Sequence, residues 1–128
     1  MTDAPTEGSI LTDIKQLLGQ ESDDSSFDLD IMIHINSVFF DLQQIGVGPK
    51  DGFEITDAST TWDAYLGSNK NLNAVKTLIY LKVRLIFDPP TNGFLVTSYE
   101  KQIEKLEWRL MVEMDPPATP SVLGEINA

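Results

Sequence analysis

Residues 87–94 read FDPPTNGF, and this short segment separates two long helical patterns. Pro89 and Pro90 cannot lie inside a helix, because proline lacks a backbone N–H and its ring clashes with the preceding turn. Asn92 and Gly93 tolerate positive φ angles, so we expect the chain to reverse direction there. The segment therefore predicts a stiff elbow between two helices, and the resulting hairpin spans residues 71–114.

Both arms of this hairpin carry apolar residues at helical spacing. The first arm has a broad apolar arc that includes Val75, Ile79 and Val83, which is typical of a central helix in a bundle. Lys82 falls inside that arc, and we interpret it as a lysine whose stem packs on the core while its ammonium group reaches water or a carboxylate. The second arm has one apolar face, and Trp108 points nearly opposite to it. The sequence leaves open whether another helix of the chain or a second subunit covers Trp108.

Length and composition favour a single globular domain. The chain has 128 residues, and 41% of them are apolar, which suffices for a real core. It contains no apolar run long enough to span a membrane, and its first residues do not resemble a signal peptide. The absence of cysteine excludes disulfides, thiolate zinc sites and cysteine nucleophiles.

The net charge of −11 lies in the first half of the chain. Residues 1–63 contain thirteen acidic residues and two lysines, whereas acids and bases balance from Lys70 onward. An acidic surface argues against a tight grip on nucleic acid, which needs lysine and arginine to displace counterions. The acidic half therefore either keeps the protein in solution or faces DNA without binding it.

The first half predicts two helices around an acidic loop. Ser9 or Thr12 is expected to cap a short helix that ends at Gly19. Residues 21–26, ESDDSS, form a solvated loop that lacks the ligand pattern of a calcium site. A second helix is expected over residues 27–45, with a capping box formed by Ser25 and Asp28.

This second helix carries two apolar stripes, whereas a surface helix of a monomer needs only one. The main stripe begins at Phe27, and the second stripe consists of Leu29, Ile33 and Phe40 on the far side. The helix is therefore either enclosed within the fold or shared with a neighbouring subunit. His34, the single histidine, is interpreted as a partly buried, hydrogen-bonded side chain rather than a catalytic one.

Between the two helical regions, residues 47–60 predict a short extended or hairpin segment. Thr60 or Thr61 is expected to cap a single turn that ends at Gly67. Within that turn, Trp62 and Tyr65 are expected to plug an edge of the core. After residue 114 the sequence DPPATP resists helix and must be extended.

The sequence thus predicts an all-α fold, a small bundle of about four helices built on the elbowed hairpin. We divide it into a flexible lead (1–8), a helical domain (9–114) and an extended C-terminal tail (115–128). The tail carries Val122, Leu123 and Ile126, which either dock on another surface or belong to a frayed terminus.

Several segments resemble tailed-phage head–tail connector (adaptor) proteins. They are GVGP at 46–49, the turn around Trp62, YLKVRLIFDPP at 80–90 and EKLEWRL at 104–110. The resemblance covers roughly residues 10–116. The Phe-Asp-Pro-Pro elbow followed by Glu-Trp-Arg is its most specific part.

The resemblance implies a structural virion protein of the head–tail junction, or neck, with no enzymatic activity and no cofactor or metal. Such proteins assemble in the host cytoplasm as homo-oligomeric rings, usually of about twelve copies. The ring sits beneath the portal protein after DNA packaging and presents a surface to the stopper or tail, so that DNA passes through without specific binding. On this reading one set of residues contacts sister copies, and a second set docks the tail on the portal. The first set is Leu29, Ile33, Phe40, Trp108 and Val112, and the second is Pro116, Pro117, Val122, Leu123 and Ile126.

The sequence leaves two other functions open. The uneven charge is compatible with an acidic inhibitor that imitates DNA and blocks a nucleic-acid-binding protein. The acids of residues 23–30 could serve a small metal-dependent hydrolase, but the sequence has no histidine cluster to complete such a site.

Overall fold

The computed structural model describes residues 8–67 and 71–114, and within these ranges it contains five α-helices and no β-strand. The prediction of a small all-α bundle is confirmed. The expected single turn around Trp62 forms a helix of its own, so the count is one higher than the four expected. The helices are α1 (Ile10–Leu17), α2 (Asp28–Gln44), α3 (Trp62–Leu66), α4 (Leu72–Phe87) and α5 (Gly93–Met114).

Helix α4 is the centre of the bundle, as its broad apolar arc predicts. It packs against α2 on one face and α5 on another, and α1 packs against both α2 and α4. Val75, Leu78, Ile79 and Val83 are fully enclosed. Helix α5 contributes only Leu110 to the most deeply buried set among the described residues. It therefore covers the core with one face and leaves the opposite face exposed.

The elbow forms where expected, but its polar residues act differently from the prediction. Neither Asn92 nor Gly93 has a positive φ, so the expected left-handed reversal is wrong. Instead the Asn92 side chain accepts a hydrogen bond from the Phe94 amide at 2.8 Å, and its carbonyl accepts from Leu95 and Val96. Asn92 therefore caps α5, a position that asparagine favours because its side-chain oxygen pairs a free amide of the first turn.

One of the two predicted caps in the first half is wrong. Ser9 does cap α1, accepting from the Thr12 amide at 3.1 Å. The capping box expected at Ser25 and Asp28 does not form, because α2 begins at Asp28 without a side-chain cap. The Asp28 carboxylate is instead paired with Lys15 at 2.8 Å.

Lys15 also fixes the acidic loop of residues 21–26. Its side chain is buried, and Nζ donates to the carbonyl oxygens of Ser22 and Asp24 at 3.3 and 2.8 Å. With the Asp28 carboxylate, these contacts give the ammonium group three partners. One buried lysine thus joins α1, the loop and the start of α2.

Residues 47–60 form no hairpin, and residues 52–55 within them belong to no helix, strand or turn. Ile55 is buried and is held by Asn36 of α2, whose amide nitrogen donates to the Ile55 carbonyl and whose oxygen accepts from the Ile55 N–H, at 3.0 and 2.8 Å. The Asn36 side chain therefore occupies the place of a partner strand. A single bridge between Ser9 and Thr61 fastens the end of this segment to α1.

The predicted core anchors lie at the edge of the bundle. Trp62 and Tyr65 are both buried, and Thr61 caps their helix by accepting from the Ala64 amide. The Trp62 indole N–H donates to Asp13 of α1 at 2.7 Å. His34 is half-buried on α2.

Candidate subunit interface

An apolar strip on α2 has no cover among the described residues. Leu29, Ile33 and Phe40, hereafter the α2 strip, are 69%, 54% and 63% exposed. They lie opposite the residues that α2 buries, which include Ile31 and Ile35. Of the two apolar stripes predicted on α2, one therefore faces the core and the other faces outward.

A second exposed surface runs along α5. Trp108 is 61% exposed, Val112 beside it is half-buried, and the aromatic ring of Phe94 at the other end of the helix is almost wholly exposed. Lys101 lies midway, seven residues from each of these two aromatic residues, and Lys105 is one turn further along. We call Phe94, Lys101, Lys105 and Trp108 the α5 face. Phe94 was missed in the sequence reasoning, although its spacing from Lys101 and Trp108 was a usable signal.

The two surfaces differ in charge. Helix α2 contains three aspartates, Asp28, Asp30 and Asp41, and no lysine or arginine. The α5 face presents the exposed lysines 101 and 105, while the acids of α5 lie to the sides of this face or toward α4. Asp28 and Asp41 are paired with Lys15 and Lys82, so it is the exposed Asp30 that gives the surface around the α2 strip its acidic character.

A cleft with a volume of about 600 Å³ lies elsewhere, between α1, α3 and α4. Asp13 accepts from Trp62 and also pairs with Lys76, whose Nζ is 3.3 Å from the Asp13 carboxylate and 5.4 Å from the Trp62 ring centre. These polar groups satisfy one another. The cleft therefore presents a closed set of contacts rather than an acid–base pair poised for a substrate.

Within 8–67 and 71–114, no three histidine, aspartate or glutamate side chains converge on a point that a metal ion would occupy. Across the same residues, no helix combines the length and apolar character needed to cross a membrane.

The family model for phage connector proteins matches residues 10–117. The chain belongs to the phage connector protein family. No curated protein and no solved structure matches this connector. The matched range covers all five helices and extends past α5 to the two adjacent prolines, Pro116 and Pro117.

Family membership gives this connector a structural role in the virion, at the junction of head and tail, in association with other head or tail proteins. The family is one of structural proteins and not of enzymes. The residues predicted to contact sister copies divide between the α2 strip and the Trp108 end of the α5 face. Those predicted to dock the tail, Pro116, Pro117, Val122, Leu123 and Ile126, lie outside the described residues.

Proposed function

We propose that this connector is an adaptor: a ring, of about twelve copies, that joins the portal vertex of a phage head to the stopper or tail and extends the DNA channel. The observation that carries the proposal is the exposure of two apolar surfaces, the α2 strip and the Trp108 end of α5, in a chain of the connector family. Large apolar patches that a single chain leaves open are typical of surfaces that contact other proteins.

Burial of these surfaces supplies a driving force for assembly. Removing apolar area from water stabilises a contact by about 25 cal/mol per Å², so one large apolar side chain contributes roughly 1.5–3 kcal/mol when fully buried. Tryptophan, the residue type at position 108, is among those that most often dominate the binding energy of protein interfaces. A few such side chains per contact, repeated around a ring, give a cumulative advantage that an isolated pair of molecules lacks.

The acidic first half suits a channel that passes DNA. Carboxylates facing the phosphate backbone repel it, and the two lysines of residues 1–63 supply few sites for counterion release. We propose that this half contributes to the channel wall, so that DNA slides past without sticking. The C-terminal tail of residues 115–128 would then reach the portal and dock there through Val122, Leu123 and Ile126.

The structure gives a reason to prefer this proposal over an acidic inhibitor that imitates DNA. Three of the carboxylates in the first half are paired within the chain: Asp13 with Lys76, Asp28 with Lys15, and Asp41 with Lys82. Carboxylates held in internal ion pairs are poorly suited to stand in for a row of phosphates. Pull-down against a portal protein and against a nuclease separates the two functions, since only an adaptor retains the portal.

The decisive experiment is the particle mass of the connector alone and after mixing with portal rings. We expect a monomer alone, because high like charge opposes association, and a defined multiple of the chain on the portal. Trp108→Ala and deletion of residues 116–128 are each expected to weaken assembly on the portal without unfolding the monomer. Leu17→Ala is a matched control, since Leu17 is also half-exposed but lies on α1. Normal tail attachment by both test variants would contradict the proposal.

A further inference from the structure

We infer that the α2 strip of one connector molecule packs on the α5 face of the next, so that a single head-to-tail contact repeats around the assembly. This inference rests on the proposed ring and adds which surface meets which. Each of the two surfaces is covered by a neighbouring copy of this chain.

Symmetry requires two different surfaces for such an assembly. A closed ring of more than two copies is built from heterologous contacts, in which a patch on one subunit meets a different patch on its neighbour. The α2 strip and the α5 face meet this requirement, because they lie on separate helices and each points away from its own buried side. Each molecule therefore offers two distinct surfaces.

Charge decides between the possible pairings. Asp30 is exposed beside Leu29 with no lysine or arginine on α2 to offset it, whereas Asp41, beside Phe40, is already paired with Lys82 of α4. Two α2 strips placed against each other would bring aspartates together, and two α5 faces would bring Lys101 and Lys105 together. The mixed pairing places Asp30 near Lys101 and Lys105. Because like charges at an interface cost several kcal/mol while opposite charges guide the register, the head-to-tail pairing is favoured.

The two surfaces are also similar in length. Leu29 and Phe40 are eleven residues apart, which corresponds to about 17 Å along a helix. Phe94 and Trp108 are fourteen residues apart, or about 21 Å. Each surface has apolar side chains near both ends, so two helices laid side by side can bury these ends while the charges meet between and beside them.

Cross-linking tests the pairing directly, because the chain has no cysteine of its own. Ser37→Cys lies on the exposed side of α2, between Ile33 and Phe40, and Thr97→Cys lies on the exposed side of α5, between Phe94 and Lys101. Both substitutions are small and leave every apolar and charged residue of the two surfaces in place. The two variants, carrying tags of different mass, are mixed on portal rings and treated with a short bis-maleimide. We expect mixed cross-links in excess over links within either variant alone.

A charge exchange provides the second test. Lys101→Glu together with Lys105→Glu should raise the connector concentration needed for assembly about tenfold or more. Adding Asp30→Lys to this variant should restore part of the loss, because opposite charges then face each other again. Lys50→Glu is the control: it makes the same kind of charge change at an exposed residue outside both surfaces.

The outcomes separate the pairing from the proposed function. Portal-bound particles that give only links within Ser37→Cys or only within Thr97→Cys would overturn the pairing and leave the adaptor function standing. Portal-bound particles without any cross-link, together with unchanged assembly of the Lys101→Glu and Lys105→Glu variant, would do the same. A connector that stays at monomer mass with the portal would overturn the adaptor function itself, and the pairing with it.

Discussion

The ammonium group of Lys82 lies 2.8 Å from a carboxylate oxygen of Glu107, which joins the two arms of the helical hairpin. The same group lies 2.7 Å from Asp41, so one side chain of α4 connects α2 and α5. Desolvation lowers the pKa of Lys82, but its hydrogen bonds and attraction to Asp41 and Glu107 outweigh this effect, and the pKa is raised above its ordinary value. Lys82 thus ties together the helices that carry the two candidate interface surfaces.

Lys82→Met is expected to reduce the free energy of unfolding by about 1–2 kcal/mol, because it leaves two neighbouring carboxylates without their shared cation. Urea unfolding followed by circular dichroism measures the change. Lys50→Met is the control, since Lys50 is exposed and its ammonium group contributes none of these contacts. Equal stability of the two variants would show that the bridge contributes nothing.

Gly48 is required by the close approach of Tyr65. A Cβ atom at Gly48 would lie 2.6 Å from a ring carbon of Tyr65, and the φ of +89° is itself strained for other residues. Gly48→Ala should therefore destabilise the protein by about 2 kcal/mol or more. Gly19→Ala has a similar φ of +84° with no atom within 4 Å, so it isolates the backbone cost, about 1 kcal/mol. Similar midpoints for both variants in thermal unfolding would refute the steric argument.

Tyr65 makes stability sensitive to alkaline pH. Burial raises the pKa of its phenol above the ordinary value, and its hydroxyl has no hydrogen-bond partner within the described part of the chain. Because the folded state holds this proton more tightly than the unfolded state, the stability from the neutral phenol is complete below about pH 10 and declines above it. The raised pKa of Lys82 acts in the same direction.

Tyr65→Phe should retain or slightly increase stability at pH 7, by up to about 1 kcal/mol, because it removes an unpaired buried hydroxyl. The aromatic contacts with Phe39 and Phe53, at ring distances of 4.4 and 4.8 Å, remain possible. Above pH 10, the free energy of unfolding of this variant should fall less steeply than that of the parent protein. Parallel pH profiles measured in urea would exclude Tyr65 as a source of the dependence.

Lys15 should keep the acidic loop of residues 21–26 in a fixed conformation. Lys15→Met leaves the Asp28 carboxylate and two loop carbonyls without their buried cation, and we expect a loss of about 3 kcal/mol. Hydrogen exchange at residues 21–27 should quicken. Lys76→Met serves as the comparison, because Lys76 is half-exposed in its pair with Asp13 and should contribute only about 0–1 kcal/mol. A rigid loop in Lys15→Met would mean that its own turns hold it in place.

The family resemblance and the main architecture could be predicted from the sequence, because both depend on local sequence patterns. Adjacent prolines stop a helix wherever they occur, and the apolar spacing of α4 marks a central helix before any partner is known. The far-side position of Leu29, Ile33 and Phe40 follows from helical geometry alone. Local pattern likewise placed Trp108 opposite the apolar face of its helix.

Other features depended on contacts between residues distant in the sequence. The Trp62 indole donates a hydrogen bond to Asp13, which is 49 residues away in the sequence. Lys82 likewise pairs with Asp41, which is 41 residues away. The local sequence predicted that Asp28 would form a capping box with Ser25, but its carboxylate pairs with the buried ammonium group of Lys15 instead. A local pattern cannot rank such competing partners, because the energies that decide among them arise from burial and distance.

The sequence by itself determined the elbowed hairpin, the two faces of α2 and the acidic bias of the first half, since backbone sterics, helical spacing and charge are properties of the chain. Only the tertiary structure decided that the second face of α2 and the α5 face stay uncovered by the described residues, and that Asn36 holds Ile55 in place of a partner strand. Exposure and pairing are set by how the helices pack together, and packing is a relation between elements that no single segment contains.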